Sequence, residues 1–295
     1  MNSVVRIVWI CGITCNGNTH SFLNHPALEY LLAKIHFIHH PVLPSPLSLQ
    51  EVVSTLPESD ILIFEGAYRP DFERAGMAME DLFTGLADKT GMIIALGSCA
   101  SFGGMMKQCR PEEISGIAFD RETPTPLLKR YREKMVVLSG CPIHPEWLAF
   151  VLQMAANGTP MPLDTWYRPQ ALYAYLVHQG CLRGEYFEWK VDAHDFGRKE
   201  GCLFYVQGCQ GPMTHASCNK ILWNTVSSKT RAGMPCIGCT EPTFPKERLF
   251  STQTYMSIPA EMPLGIPKRS YLALAGAAKS FRIKRLEERM MDDHA

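Results

Sequence analysis

The sequence predicts an α/β protein in two parts, a domain built on a parallel sheet and a smaller, irregular domain that binds metal. Three observations lead to this prediction. Apolar β-branched runs alternate with helix-like stretches over residues 4–156, this alternation then stops, and six of the eleven cysteines follow in segments rich in Gly and Pro. Alternating strands and helices are typical of a parallel sheet with helices on both faces.

The first domain takes its strands from four apolar runs and its helices from the stretches between them. Each run is bounded by Gly, Ser, Cys or a charged residue, as buried parallel strands are. Ser48 and Glu51 have the spacing of a capping box at a helix start, and His144 is expected to cap the last helix. The predicted strands are 4–10, 61–64, 92–96 and 135–138, and the predicted helices are 26–35, 48–56, 71–88, 125–134 and 145–156.

Polar side chains follow these strands at the points where the strands end. Cys15, Glu65, Cys99 and Cys141 come after the first, second, third and fourth apolar runs, respectively. The carboxyl ends of parallel strands meet at one edge of a sheet, and ligands of open α/β sheets bind there. The sequence therefore predicts that three thiols and one carboxylate meet in one site.

The second domain begins near residues 157–162, so we predict domains at 1–158 and 159–295. Its cysteine-rich segments show little helix or strand periodicity and cannot fold on an apolar core alone. Bound metal supplies the missing cross-links, because site formation is coupled to folding. The stretch 269–290 is predicted to be a helix with a solvated, charged end.

Composition and charge exclude several classes of function. The net charge is +0 and the isoelectric point is near 7.1, so the overall charge favours neither nucleic acid nor an anionic membrane as a partner. No run approaches the roughly 18 apolar residues of a membrane span, and the N-terminus has no export signal pattern. We expect a cytoplasmic protein, with association at the cytoplasmic face of a membrane left open. Eleven reduced cysteines then favour metal binding over disulfides.

Several motifs resemble those of the small, electron-transferring subunit of [NiFe] hydrogenases. "GSCASFGG" and "SGCPIHP" are similar to motifs of the family's proximal iron–sulfur cluster, "HQGCLRGEYFE" to its distal His-x-x-Cys motif, and "GCQGPMTHASC" with "PCIGC" to its medial run. The resemblance covers nearly the whole chain and implies a flavodoxin-like first domain. The start "CNGN" and the runs "SSKTRAGMPC" and "GCTEP" are most similar to the cytoplasmic uptake enzymes of group 2, from cyanobacteria and actinobacteria.

The resemblance implies three iron–sulfur clusters, each with its own ligands. Thiolates are soft ligands suited to such clusters, and a histidine ligand reduces the negative charge and raises the potential. Three cysteines, with Lys229 where a fourth ligand is sought, are consistent with a medial [3Fe–4S] cluster, and His178 favours a distal [4Fe–4S] cluster. The implied ligands are Cys15, Cys99 and Cys141 for the proximal cluster, Cys218, Cys236 and Cys239 for the medial cluster, and His178, Cys181, Cys202 and Cys209 for the distal cluster.

Asn18 stands where the family usually has a second proximal cysteine. A neutral, hard amide is a poor substitute for a thiolate, so two outcomes are open. One is a [4Fe–4S] cluster with a weak oxygen or water ligand, and the other is a [3Fe–4S] cluster held by three cysteines. Either outcome removes a thiolate charge and raises the proximal potential.

Four other residues resemble, or lie near, functional positions of the family. Glu65 resembles an acidic residue near the proximal site, and we predict either a proton-path role beside the cluster or a hydrogen-bonded loop anchor. Arg183 is expected either to stabilise the charge of the distal cluster or to form an ion pair. Cys11 is predicted to be either a buried thiol or a thiol that supports the cluster without binding it, and Cys109 a free thiol.

The resemblance implies an electron conduit that is active only with a large subunit bearing a NiFe centre. No residue of this chain is then catalytic itself, and electrons from hydrogen oxidation pass to an acceptor such as a quinone or a redox protein. A permanent interface with the large subunit and a higher oligomer of heterodimers are expected. The alternatives are a hydrogen-sensing regulatory hydrogenase, a quinone-reductase subunit, which the segment 160–250 opposes, and a zinc-binding interaction module.

Overall fold

The structure, a computed structural model, describes residues 4–280 and divides them into two compact units. The first unit runs to Tyr173 and includes the later segment Cys239–Phe244, and the second comprises Ala174–Gly238 and the residues from Pro245 onward. The domain limits predicted above, 1–158 and 159–295, stay predictions. The contacts add residues 159–173 and 239–244 to the first unit.

A parallel, five-stranded sheet forms the centre of the first unit. Its strands are β1 (Val5–Cys11), β2 (Ile35–His39), β3 (Ser59–Glu65), β4 (Thr90–Leu96) and β5 (Met135–Leu138). They lie side by side in the order β2-β1-β3-β4-β5, which is the flavodoxin-like order. The predicted α/β fold with a parallel sheet is thereby confirmed.

The strands are apolar on both faces because helices and loops cover both sides of the sheet. Trp9, Phe64, Ile94 and Val137 are fully buried in its middle. Four of the five strands lie where the sequence predicts them, to within two residues at each end. The exception is β2, which the sequence analysis missed because its apolar residues alternate with histidines directly after a helical stretch.

Two of the predicted helix starts carry the caps that the sequence indicates. The Ser48 hydroxyl accepts a hydrogen bond from the amide of Glu51, and the Glu51 carboxylate accepts one from the amide of Ser48. Nδ1 of His144 accepts a hydrogen bond from the amide of Glu146 at 3.2 Å. The helices of the first unit are α1 (Gly17–Leu23), α2 (Leu28–Leu32), α3 (Leu49–Thr55), α4 (Met79–Ala87), α5 (Gly97–Phe102), α6 (Gly104–Cys109), α7 (Pro126–Tyr131), α8 (Pro145–Ala156) and α9 (Gln170–Tyr173), with a 3₁₀ turn at Arg132–Lys134.

The predicted helix 71–88 was wrong over its first part. Ala75 and Gly76 have φ values of 49° and 82°, so the chain reverses there in a short hairpin of Glu73–Arg74 with Met77–Ala78. The helix begins only after this hairpin, at Met79. A second short hairpin joins Phe119–Asp120 to Thr123–Pro124.

The second unit has little regular structure, as the loss of periodicity predicts. Its helices are α10 (Gly184–Trp189) and α11 (Lys268–Ser280), its 3₁₀ turns are Val177–Gly180, Gly211–Met213 and Pro263–Gly265, and Thr254–Tyr255 pairs with Ile258–Pro259. The predicted helix 269–290 is therefore present as far as Ser280, and the rest of it lies outside the described residues. No helix within residues 4–280 is long and apolar enough to cross a bilayer.

The segment Cys239–Phe244 is held in the first unit by hydrogen bonds to its backbone carbonyls. The Ser139 hydroxyl and the Arg168 guanidinium donate to the carbonyl of Thr240 at 2.8 and 2.9 Å. The Ser98 hydroxyl donates to the carbonyl of Cys239, and Arg121 donates to that of Phe244. The first unit therefore contains a piece of chain that follows it by more than sixty residues.

Candidate metal centres

Three cysteine-bearing loops meet at the carboxyl edge of the sheet. Cys15 precedes α1, Cys99 lies in α5 directly after β4, and Cys141 follows β5. The amide of Ser98 donates to the carbonyl of Gly140, and the amide of Gly140 donates to the Ser98 hydroxyl, both at 2.9 Å. These bonds join the loops of Cys99 and Cys141, as the strand ends predict.

The loop of Cys15 lies against the loop of Cys141. A Cβ placed on Gly17 would be 3.3 Å from Sγ of Cys15 and 3.6 Å from Cβ of Pro142. Glycine at this position therefore leaves room for the thiol beside the Cys141 loop. The side chain of Cys15 is exposed, whereas Cys99 and Cys141 are half-buried.

The side chain of Glu65 anchors the loop of Cys15 by hydrogen bonds. Its side chain is completely buried and accepts hydrogen bonds from the amides of Asn18 and Thr19 at 3.0 and 3.3 Å. It also accepts from the Thr19 and Thr14 hydroxyls and from Nε1 of Trp9. Of the two roles predicted for Glu65, these contacts favour the loop anchor. The sequence analysis missed Trp9 and Thr19, since neither residue type is a metal ligand.

Asn18 is buried in the first turn of α1, and both heteroatoms of its amide have partners in the protein. Nδ2 donates to the carbonyl of Leu96 at 3.3 Å, and Oδ1 accepts from the amide of Ile143 at 2.9 Å. The amide lies directly over Gly97, which has a φ of 85°.

Gly97→Ala is expected to destabilise the first unit, and Gly76→Ala is its matched control. Both glycines have positive φ values, 85° and 82°, so the backbone strain of an alanine is similar at both. A methyl group on Gly97 would lie 2.3 Å from Nδ2 of Asn18, whereas Gly76 has nothing within 4 Å. Calorimetry is expected to show a midpoint roughly 4 °C lower for Gly97→Ala than for the control. Equal midpoints would contradict the close packing of Asn18 on Gly97.

Burial raises the pKa of two thiols near this edge, Cys99 and Cys11. Burial raises the pKa of Cys99, although the amides of Met106 and Met105 oppose this rise. Burial also raises the pKa of Cys11 to about 12, with the nearby Glu65 carboxylate adding to the effect. Cys11 is thus a half-buried, neutral thiol paired with Glu65 on neighbouring strands, and its place beside a cluster stays a prediction.

The four predicted distal ligands line one cavity in the second unit, the distal cavity. His178 lies on the 3₁₀ turn Val177–Gly180 and Cys181 follows it. The amide of Cys202 donates to the carbonyl of Val191 at 2.7 Å, and its carbonyl accepts from the amide of Ala193 at 2.9 Å. Cys209 lies beside Gly211, where a Cβ would be 3.4 Å from its Sγ.

Burial shifts the pKa values of three side chains in this cavity toward the neutral form. Burial raises the pKa of both Cys202 and Cys209 to about 12, so metal must displace their protons. The amides of Phe204 and Cys236 donate to the sulfurs of Cys202 and Cys209 at 3.4 and 3.3 Å. Burial lowers the pKa of His178, which keeps the imidazole neutral and able to coordinate.

Arg183 lines this cavity, and its guanidinium donates hydrogen bonds to backbone carbonyls. It is 5% exposed and donates to the carbonyls of Thr230 at 2.8 Å, Gly201 at 2.7 Å and Glu200 at 3.1 Å, and to that of Arg198. No carboxylate within residues 4–280 lies at ion-pair distance from it, so the predicted ion pair was wrong. Its positive charge remains beside the thiols.

Asn219 also shapes the distal cavity, and the sequence analysis missed it. Its Nδ2 donates to the carbonyl of Val177 at 2.7 Å, and its Oδ1 accepts from the hydroxyls of Ser228 and Thr230. These bonds join the turn that carries His178 to Ser228 and Thr230, and the carbonyl of Thr230 also binds Arg183. Its position directly after Cys218 was the only signal available in the sequence.

The three predicted medial ligands are divided between the units. Cys218 and Cys236 belong to the second unit and Cys239 to the first. Cys236 is buried, and its carbonyl accepts a hydrogen bond from the amide of Gln210 at 2.7 Å. The predicted medial set stays a prediction.

The distal residues fit the iron–sulfur cluster that the sequence predicts. They line one cavity, and their donors are soft sulfur with one neutral imidazole nitrogen. No three His, Cys, Asp or Glu side chains of the described part are spaced to hold a single metal ion. All eleven cysteines lie within the described residues, and none forms a disulfide.

Two families of known sequences match the chain. Residues 173–251 match the C-terminal family of NiFe/NiFeSe hydrogenase small subunits, and residues 15–155 match the 20 kDa subunit of NADH ubiquinone oxidoreductase. The periplasmic [NiFe] hydrogenase small subunit 1 of Nitratidesulfovibrio vulgaris is 30% identical over 263 residues, covering 82% of this chain and 80% of that protein. The periplasmic [NiFe] hydrogenase small subunit of Solidesulfovibrio fructosivorans is 33% identical over 175 residues, so the match spans 58% of this chain and 52% of that relative.

Solved structures share the fold. The actinobacterial-type NiFe-hydrogenase from Ralstonia eutropha H16 superposes with a TM-score of 0.70 at 23% identity, covering 95% of this chain and 92% of that one. The [NiFeSe]-hydrogenase of Dm. baculatum superposes with a TM-score of 0.69 at 24% identity, covering 85% of this chain and 100% of that one. The chain therefore belongs to the family of [NiFe] hydrogenase small subunits, oxidoreductase subunits that work together with a large subunit.

Proposed function

We propose that this chain carries electrons from the NiFe centre of a large subunit, where hydrogen is oxidised, to an acceptor outside the heterodimer. The observation that carries the proposal is the distal cavity, in which His178, Cys181, Cys202 and Cys209 surround one space. A neutral histidine with two buried thiols and one half-buried thiol is a ligand set for an iron–sulfur cluster.

The exposed side chain of Cys15 supports a partner at the sheet edge. Cys15 is a predicted proximal ligand, yet its side chain is exposed in this chain. A cluster there would lie at the surface, where a large subunit docks over it and excludes water. The relatives named above are small subunits of hydrogenases, which agrees with such a partner.

The residues of this chain hold, bury and tune the clusters. Each bound cluster supplies the one-electron chemistry that thiols and imidazole lack. Glu65 fixes the loop of Cys15, and Arg183 places a cation beside the distal thiols. The amides that donate to Cys202 and Cys209 stabilise negative charge on sulfur, which raises the potential of a cluster held there.

The finer assignments follow the sequence motifs. We propose a [3Fe–4S] medial cluster, a [4Fe–4S] distal cluster, and a proximal cluster on Cys15, Cys99 and Cys141 with a position that no cysteine fills. We further propose the cytoplasm as the location, an uptake direction of the group 2 kind, a quinone or a redox protein as acceptor, and a higher oligomer of heterodimers.

Cys209→Ser, with Cys109→Ser as matched control, tests this proposal in the heterodimer purified with its large subunit. Cys209 is buried in the distal cavity, whereas Cys109 is exposed and outside every motif. We expect a brown wild-type complex that reduces a viologen dye with hydrogen. Cys209→Ser is expected to lose the iron of the distal cluster and most of this activity, and Cys109→Ser to keep both.

Two outcomes would contradict the proposal. A colourless wild-type complex containing zinc would support the interaction module instead. An iron-bearing complex in which both serine variants behave like the wild type would show that the distal cavity holds no cluster. Iron analysis and low-temperature EPR of all three proteins distinguish these cases.

A further inference from the structure

We propose that Asn18 is a positioning residue that fastens the loops of Cys99 and Cys141 to each other and contributes no ligand to the proximal cluster. This proposal rests on the proposed function, because it concerns a cluster held by Cys15, Cys99 and Cys141. It excludes the amide oxygen of Asn18 as a weak fourth ligand, and it is compatible both with a [4Fe–4S] cluster that binds water and with a [3Fe–4S] cluster.

The amide of Asn18 bridges backbone groups on two loops. Leu96 is the last residue of β4, three positions before Cys99, and Ile143 lies two positions after Cys141. Nδ2 donates to the carbonyl of Leu96 at 3.3 Å, and Oδ1 accepts from the amide of Ile143 at 2.9 Å. A carbonyl requires a donor and an amide requires an acceptor, so these partners fix which way the side chain is turned.

Rotation of the Asn18 side chain toward iron would break this bridge. The Asn18 side chain is 8% exposed and Ile143 is completely buried, so an oxygen turned toward a metal would leave the buried amide of Ile143 without its partner. Buried amides without partners are rare in proteins because water cannot replace the lost bond. The bridge is therefore the arrangement that satisfies the polar groups of both loops.

Neighbouring residues hold Asn18 in this orientation. Its backbone amide and that of Thr19 donate to the buried Glu65 carboxylate, which fixes the start of α1. Gly97 lies directly under its Nδ2, where even a methyl group has no room. The hydrogen bonds to Glu65 and the close packing on Gly97 thus both hold the Asn18 side chain in place.

The two loops also have ties that do not involve Asn18. Ser98 and Gly140 are joined by two hydrogen bonds of 2.9 Å. Removal of the Asn18 amide is therefore expected to loosen the loops without separating them. Cluster assembly remains possible in the variants, so the role of Asn18 can be measured on loaded protein.

The test compares Asn18→Ala and Asn18→Ser with Asn24→Ala in the purified heterodimer. Asn24 is an exposed asparagine at the end of α1 with an ordinary φ of −91°, and it serves as the matched control. A positioning role predicts that both Asn18 variants keep the wild-type iron content and the g values of the proximal EPR signal. It also predicts a fall of roughly 4 °C or more in their unfolding midpoints, with Asn24→Ala unchanged.

A ligand role predicts the opposite pattern. Loss of a ligand changes the iron count or the g values of the proximal signal in both Asn18 variants, and that result would overturn the proposal. Unchanged midpoints in both Asn18 variants would overturn it as well. A wild-type complex without iron would instead contradict the proposed function, so the two failures are distinguishable.

A measurement on wild-type protein covers the case in which neither Asn18 variant folds. Heterodimer grown with ¹³C-labelled asparagine is examined by pulsed EPR of the proximal signal. A positioning role predicts no ¹³C coupling of the size produced by a coordinated amide. Such a coupling would identify an asparagine ligand and overturn the proposal.

Discussion

Glu65→Gln is expected to lower the free energy of unfolding of the first unit by ~3 kcal/mol and to release the proximal cluster. Glu65 is completely buried, and its carboxylate accepts five hydrogen bonds from neighbouring groups. A glutamine of the same shape presents an NH₂ group to donors, so at least one buried donor loses its partner. The donors are Nε1 of Trp9, the hydroxyls of Thr14 and Thr19, and the amides of Asn18 and Thr19.

Thermal unfolding of the heterodimer and the proximal EPR signal together measure this effect. A loss of this size corresponds to a midpoint roughly 6–12 °C lower. The loop of Cys15 loses its anchor, so the proximal signal is expected to disappear before the distal one. Glu73→Gln, at an exposed position of a hairpin, is the control and is expected to change neither. A proximal signal that persists in Glu65→Gln at the wild-type midpoint would contradict the anchoring role.

Arg183→Met is expected to have the second large effect, a loss of the distal cluster with a destabilisation of ~3 kcal/mol in the second unit. The guanidinium donates to four carbonyls, two of which precede Cys202 directly. Methionine fills similar space but leaves these buried carbonyls without donors. The segment that carries Cys202 then loses its fixed position against the other ligands.

Arg183→Lys separates the charge from the geometry. Lysine keeps the positive charge but cannot match the planar, five-donor guanidinium, so we expect partial iron loss and a distal potential close to that of the wild type. Arg231→Met, at an exposed position beside Thr230, is the control and is expected to leave both iron and stability unchanged. Full iron content in Arg183→Met would show that the carbonyl contacts do not hold the distal site.

The fold was largely predictable because its signals are local. Buried strands such as 135–138 are continuous apolar runs, and the capping box of Ser48 and Glu51 uses side chains three residues apart. The hairpin at Ala75 and Gly76 was not predictable, since alanine in a left-handed conformation has no sequence signal. The short helices α1 and α5 were missed because seven and six residues are too few to show a helical period in the sequence.

The motifs predicted four residues that line one cavity, but not the contacts that surround this cavity. His178 and Cys181 have a recognisable spacing, and the structure places both at one cavity. Arg183 binds backbone carbonyls, and every residue supplies a carbonyl, so the sequence cannot reveal its partners. The partners of Asn18 could not be predicted for the same reason, because its amide bonds to backbone groups of Leu96 and Ile143. These residues follow Asn18 by 78 and 125 positions.

Because Cys239–Phe244 belongs to the first unit, that unit can be completed only after these residues have been synthesised. Ser139 and Arg168 leave the ribosome long before Thr240, whose carbonyl both of them require. The first unit therefore stays unfinished while residues 174–238 are being made. A fragment ending at Tyr173 would lack these partners and one predicted medial cysteine. The first unit therefore has all of its residues only after Phe244 has been translated.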